Sequence, residues 1–116
     1  MNPSREIDDL ETVTQFGTRD GGFRNWPRAM EEDVSVLIGR LTVEQSARLV
    51  RRRGGVARGD GVRYARAGAL RHAGFAVRHT PTRSIVVHAS VESSGVWDDE
   101  ARMRFDRVFS EPIFHE

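Results

Sequence analysis

Four histidines, His72, His79, His88 and His115, are the side chains whose ordinary pKa lies closest to neutral pH, so any acid–base chemistry starts with them. Cysteine is absent, which removes thiol nucleophiles, thiolate zinc sites and disulfides together. His79 and His88 flank the tip of "FAVRHTPTRSIVVHASV", a stretch of alternating apolar residues broken by Pro81 that reads as a β-hairpin. Whether the pair could share a proton or a metal depends on loop parity. An odd loop of three or five residues around Pro81 puts Phe75 and Val77 on one face with Ile85, Val87 and Ala89. His79 then joins that face and His88 the other. An even loop brings both histidines to one face. The odd loop buries more apolar area, and histidines on opposite faces can share neither proton nor metal.

Read as an enzyme, the chain offers His79 and His88 as proton-transfer groups, with Tyr64 or Ser90 as partners and arginine to stabilise phosphate charge. That set would suit a small toxin-type enzyme acting on RNA or a nucleotide. There is no nucleophile elbow, phosphate loop or HExxH pair, so no metal site and no cofactor are expected. The acids of "DDEAR" (98–102) are explained by the start of a helix, where carboxylates meet the positive end of the dipole.

Arginine is the second chemical signal. Lysine is absent, so all 18 cations are arginine in a chain of formal net charge +1. Two readings stand for this: planar, always charged donors suited to phosphate and carboxylate, or codon bias in a GC-rich genome, which the spread of Arg, Ala, Gly and Val along the chain favours. Position says more than number. Residues 48–72 hold eight arginines against one acid, Asp60, whereas the segments on either side are net acidic. A face formed by Arg51, Arg52, Arg53, Arg58, Arg63, Tyr64, Arg66, Arg71 and Arg83 would bind nucleic acid or another anionic partner. The competing reading is a set of solvated helix faces on an accessory or effector module. That module would bind protein through Phe23, Trp26 or the "IFHE" tail.

The elements that must position these groups follow from apolar spacing. Met30, Val34, Leu37, Ile38 and Leu41 recur at helical intervals after Pro27, which predicts a first helix in "FRNWPRAMEEDVSVLIGRL". Thr42 and Gln45 have the spacing of a capping box and open a second helix, with Val43, Ala47 and Val50 inward and Gly54 as its stop. "VRYARAGALRHAG" reads as a third helix, with Val62, Ala65, Ala69 and Ala73 on one side and an unfavourable Gly68 inside it. Asp98 caps a last helix whose inward stripe is Ala101, Phe105, Val108 and Phe109. Residues 1–22 carry no consistent pattern and are expected to form a flexible arm, with a short strand near Val13 as the one alternative. The expectation is a single α+β domain over residues 23–116, with three to four helices and a β-hairpin.

Helix, turn, helix ending at a glycine, then a two-stranded ribbon: over residues 30–91 this order resembles a winged helix-turn-helix domain. "ALRHAGFAVRHTPTRSIVV" carries the likeness, as the end of a recognition helix running into a wing. The resemblance implies Arg63, Tyr64, Arg66 and Arg71 in a DNA groove and Arg83 on phosphate. The connector "RRRGGVARGDG" is longer than the three or four residues such a turn uses. The sequence holds no apolar run long enough for a membrane span, and "MNPSREIDDLE" lacks the apolar stretch of a secretory leader. A cytoplasmic protein without a membrane partner is the expectation.

Overall fold

The structure is a computed structural model that describes residues 4–23, 33–51 and 54–116. Thr12, Val13 and Thr14 favour extended backbone because branching at Cβ restricts their side-chain rotamers in a helix. They open strand β1, Thr12–Thr18, an inner strand with β2 (Val34–Ile38) on one side and β3 (Asp60–Arg66) on the other. The segment expected to be a flexible arm therefore supplies a middle strand of the sheet. Helix α1 (Val43–Val50) lies between β2 and β3, and α2 (Ala67–His72) follows β3. Then come β4 (Phe75–His79), β5 (His88–Ser93), α3 (Asp99–Val108) and β6 (Ile113–Phe114). All pairings are antiparallel, in the order β4-β5-β2-β1-β3-β6.

The expected class, three to four helices with a hairpin, is corrected by this sheet. Strand β2 falls within the expected first helix and β3 within the expected third. "VSVLI" satisfied a helical stripe through Val34, Leu37 and Ile38, yet Val34, Val36 and Ile38 also alternate. With three β-branched residues in five, the alternating solution prevails, and Ser35 faces out while Val36 is 2% exposed. The earlier part of the expected first helix, residues 27–32, lies outside the described residues. In "DGVRYAR" both faces of β3 are covered, so no simple alternation was visible, and only Ala67–His72 of the expected third helix is helical. Between residues 43 and 91 the order is α1-β3-α2-β4-β5. A strand thus replaces the body of the recognition helix that the winged-helix resemblance requires.

The register sorts side chains onto two faces. Val13, Val34, Val36, Ile38, Ala65, Phe75, Val77, Ala89 and Val91 point to the main core, where Ala67 and Leu70 of α2 and Ala101 and Phe105 of α3 cover them. Phe105 is fully buried, edge-on to Phe75 and Trp97 with ring centroids 5.8 and 5.5 Å away. The opposite face carries Thr14, Phe16, Val62 and Tyr64, and Val43 of α1 packs there. The capping box at Thr42 and Gln45 is formed, but Val50 is 47% exposed rather than inward.

Two glycines show why the chain can fold this tightly. A Cβ on Gly68 would sit 2.8 Å from Asp9 Cβ and 3.0 Å from its carbonyl oxygen. The residue that looked like a helix defect is where residues 7–11 cross α2, with Gly68 N–H donating to Asp9 O and Ile7 buried in the core. A Cβ on Gly61 would meet the Phe114 ring at 2.5 Å, so β6 can lie against β3 only at this glycine. The "IFHE" tail is consequently a short edge strand.

Candidate functional site: a hydroxyl–imidazole relay on the sheet

The hairpin sets the geometry. His79 pairs with Ala89 and Thr80 N–H donates to His88 O at 3.0 Å, so the connection is longer than the expected three or five residues but odd in parity. His79 falls on the Phe75/Val77 face and His88 on the other. Pro81 restricts Thr80 to extended backbone, which continues the ladder one step beyond β4. His79 works as a clamp: its Nδ1 accepts from Arg5 N–H at 3.0 Å and its Nε2–H donates to Val86 O at 2.7 Å.

His88 stands on the α1 face, opposite Leu37, and Ser35 stands opposite Ser90. Side chains diagonal to one another across an antiparallel pair remain within reach when one is long. The His88 imidazole spans that diagonal, with Nε2 3.0 Å from Ser35 Oγ. On its other edge, Nδ1 is 2.9 Å from Thr80 O and 2.9 Å from Thr80 Oγ1. The Thr80 hydroxyl in turn lies 2.8 Å from Ser90 Oγ, and Ser90 is 3% exposed.

The tautomer follows from this arrangement. A carbonyl oxygen only accepts, so the 2.9 Å contact between Nδ1 and Thr80 O is a hydrogen bond in the tautomer that carries its proton on Nδ1. Nε2 then presents its lone pair to Ser35, whose hydroxyl donates to it. A hydroxyl, an imidazole in the accepting tautomer and an acceptor that fixes that tautomer are the three parts of an activated serine. Ser35 is exposed, so a ligand can reach it. Arg78 also lies on this face, opposite Ser90. Its Nε is 3.6 Å from a Glu92 carboxylate oxygen, an ion pair but longer than a hydrogen bond.

Of the enzyme set read from the sequence, His88 and Ser90 enter this network and His79 and Tyr64 do not. Tyr64 is three strands away, roughly 14 Å at ordinary strand spacing, and its hydroxyl donates to Leu41 O at 2.6 Å. Its ring is covered by Arg40, 4.1 Å from the centroid. Ser35 and Thr80 were missed. Ser35 was hidden by the helical reading of residues 34–38, and Thr80 acts through a backbone carbonyl that no side-chain pattern reveals.

Among the described residues, the arginines of the expected face are divided between ion pairs within the fold and separate exposed positions. Arg51 forms a two-pronged ion pair with Asp60, at 2.5 and 2.7 Å, and Asp60 is 1% exposed. That hydrogen bonding lowers the Asp60 pKa against the opposing effect of burial, with help from Ala57 N–H. Arg63 is 9% exposed, bonded to Gln15 at 2.7 Å and Asp106 at 2.9 Å, with its guanidinium 4.5 Å from the Phe109 ring centroid. Arg71 donates to Asp9 at 2.6 Å and to Val77 O at 3.2 Å. Arg63 and Arg71 therefore hold the fold together instead of lining a groove. Arg58, Arg66 and Arg83 are exposed and carry no ion pair among the described residues. Arg66 on β3 and Arg83 on the β4–β5 hairpin are kept apart by β2 and β1. Arg52 and Arg53 lie outside the described residues.

Among the described residues no group of three or more His, Asp or Glu side chains could hold a metal ion, and no helix is long and apolar enough to cross a membrane. No protein-family model matches the chain, and neither does any curated protein or solved structure. The fold and site define an antiparallel α+β protein with a serine–histidine pair across two inner strands.

Proposed function

We propose that this chain is a small hydrolytic enzyme in which Ser35 is the nucleophile and His88 the general base. One observation carries the reading: Nε2 of His88 is 3.0 Å from Ser35 Oγ while Nδ1 is committed to Thr80 O. The Ser35 Oγ–H proton passes to His88 Nε2 as Oγ attacks the carbonyl carbon of an ester. His88 returns that proton to the departing alkoxide, leaving an acyl group on Oγ. Water repeats the sequence, with His88 taking its proton, and releases the acid and free Ser35. Thr80 is a positioning residue, holding the imidazole in the accepting tautomer, and Ser90 supports Thr80 from a buried position.

The test joins kinetics with labelling. Ser35→Ala and His88→Ala should each lower kcat/KM for p-nitrophenyl acetate by about 10²–10⁴. A fluorophosphonate probe should modify Ser35 in the wild-type chain, read by peptide mass spectrometry, and fail in His88→Ala. Hydrolysis by Ser35→Ala at the wild-type rate, or labelling confined to other residues, overturns the proposal. Cleavage of a phosphodiester but no carboxylic ester would replace the acyl step with phosphoryl transfer at the same pair.

A further inference from the structure

The hydroxyl–imidazole pair does not by itself select a substrate; the groups around it on the same face do. Ser35, Ser90 and Arg78 occupy one cross-strand row of β2, β5 and β4. Two strand spacings separate Ser35 from Arg78, about 10 Å between backbones. His88 stands one step along from Ser90 on the same face. The Glu92 contact draws the Arg78 head to the side of this row away from His88, so a substrate held there would reach back along the row to Ser35.

Arg78 differs from Arg51, Arg63 and Arg71 in how little its guanidinium is used, and from the exposed Arg58, Arg66 and Arg83 in lying on the cross-strand row of Ser35 and Ser90. Arg51, Arg63 and Arg71 each make hydrogen bonds to a carboxylate, at 2.5, 2.9 and 2.6 Å. Arg78 has a 66% exposed side chain and one carboxylate contact, from Nε to Glu92 at 3.6 Å. The two terminal nitrogens, which form the flat fork that matches an oxyanion, make no hydrogen bond among the described residues. Glu92 sits beside the fork as an internal competitor. It keeps an arginine next to the site neutralised until a better oxyanion arrives.

Building on the Ser35–His88 reading, we infer that Arg78 is the anchor for an anionic group of the substrate, phosphate or carboxylate, and that Glu92 is displaced when it binds. The substrate class is then an ester that carries an oxyanion a few bonds from the scissile carbonyl. Opposite effects of two neighbouring substitutions follow. Removing the fork weakens binding, and removing the competing carboxylate strengthens it. A purely structural Arg78–Glu92 pair would leave anion affinity unchanged in both.

The experiment is a titration with inorganic phosphate, adenosine monophosphate and acetate, followed by NMR at the arginine Nε–H and backbone resonances of the full chain. The proteins are wild type, Arg78→Gln, Glu92→Gln and Ser35→Ala. Circular dichroism confirms that each is folded. Arg78→Gln should bind the preferred anion about tenfold more weakly. Glu92→Gln should bind it about threefold more tightly, and Ser35→Ala should match wild type. The order of the three anions separates a phosphate from a carboxylate preference. Equal affinities in wild type and Arg78→Gln, or weaker binding in Glu92→Gln, overturn the inference. That failure is distinct from failure of the catalytic reading, because ester cleavage by Ser35→Ala is scored separately. Anion binding that moves as stated beside undiminished cleavage leaves Arg78 as an anion site and removes Ser35 as nucleophile.

Discussion

Replacing Asp60 with Asn keeps the shape of a buried side chain and deletes its charge, so the cost can be worked out before it is measured. Asp60 is 1% exposed and accepts three hydrogen bonds, two from Arg51 and one from Ala57 N–H at 2.7 Å. A charge-assisted hydrogen bond contributes about 1.5–3 kcal/mol, and Asp60→Asn forfeits at least one and weakens the others. Against that, the Arg51 side chain is 35% exposed and rehydrates when its partner goes. The expected loss is therefore about 2 kcal/mol, below the roughly 3–5 kcal/mol for breaking a fully buried pair. With a urea slope of about 2 kcal/mol per M, the midpoint falls by about 1 M. The pH profile makes the test specific. The folded-state pKa of Asp60 is depressed, so its stabilisation is present above the unfolded value of about 3.9 and fades as pH falls through the folded value. The gap between wild type and Asp60→Asn should stay constant from pH 8 to about 5 and close below about pH 4. A loss under about 0.5 kcal/mol at pH 7, or a gap that persists unchanged into acid, refutes the argument that charge at this site matters.

Further outcomes follow from other contacts. Phe105→Ala empties a fully buried site lined by Phe75, Trp97 and Phe109 and should cost about 3–5 kcal/mol in urea unfolding. Gly68→Ala forces its new methyl against Asp9 and should release residues 4–11 to proteolysis or fast amide exchange before the sheet unfolds. The Arg5 side-chain hydrogen bond draws the Glu11 pKa down from 4.5 to about 2. Its contact with Arg5 should therefore survive in NMR spectra as pH falls to about 2, and its stabilising effect should fade between those two values. Thr80→Val keeps the carbonyl that orients His88 but loses the hydroxyl that meets Ser90. It should lower ester cleavage far less than His88→Ala, and equal losses would show that the hydroxyl orients the ring.

The parts of the fold written in local chemistry were legible. Thr42 with Gln45 and Asp98 with Ala101 N–H are caps whose signal lies within four residues, and both helices begin there. The hairpin's parity followed from matching apolar sets, and with it the separation of His79 from His88. What stayed hidden depended on distant partners. Strands β2 and β3 are covered on both faces along most of their length, so no clean polar–apolar alternation marks their period and Val34, Leu37 and Ile38 could be read as a helix. Strand β1 has Gln15 at a fully covered position because Arg63, 48 residues away, supplies its partner at 2.7 Å. The same long-range logic misplaced the arginines. Four of them in or beside the basic stretch find carboxylates on Asp9, Asp60, Asp106 and Glu92, three of these within the acidic flanks that looked like a separate feature. Ser35 could be assigned to the site only once the register of β2 against β5 was known.

The bond from Arg71 to Val77 O has a consequence for how this protein behaves in a crowd. Strand β4 is the outermost strand on its side, and such a border is where a stranger's extended backbone would attach and extend the sheet. A guanidinium already seated on that border carbonyl takes away a docking point and puts charge in its place. At the far border, β6 is two residues long. A sheet finished this way at both margins resists growing into a fibre, even though valine recurs on each of its inner strands.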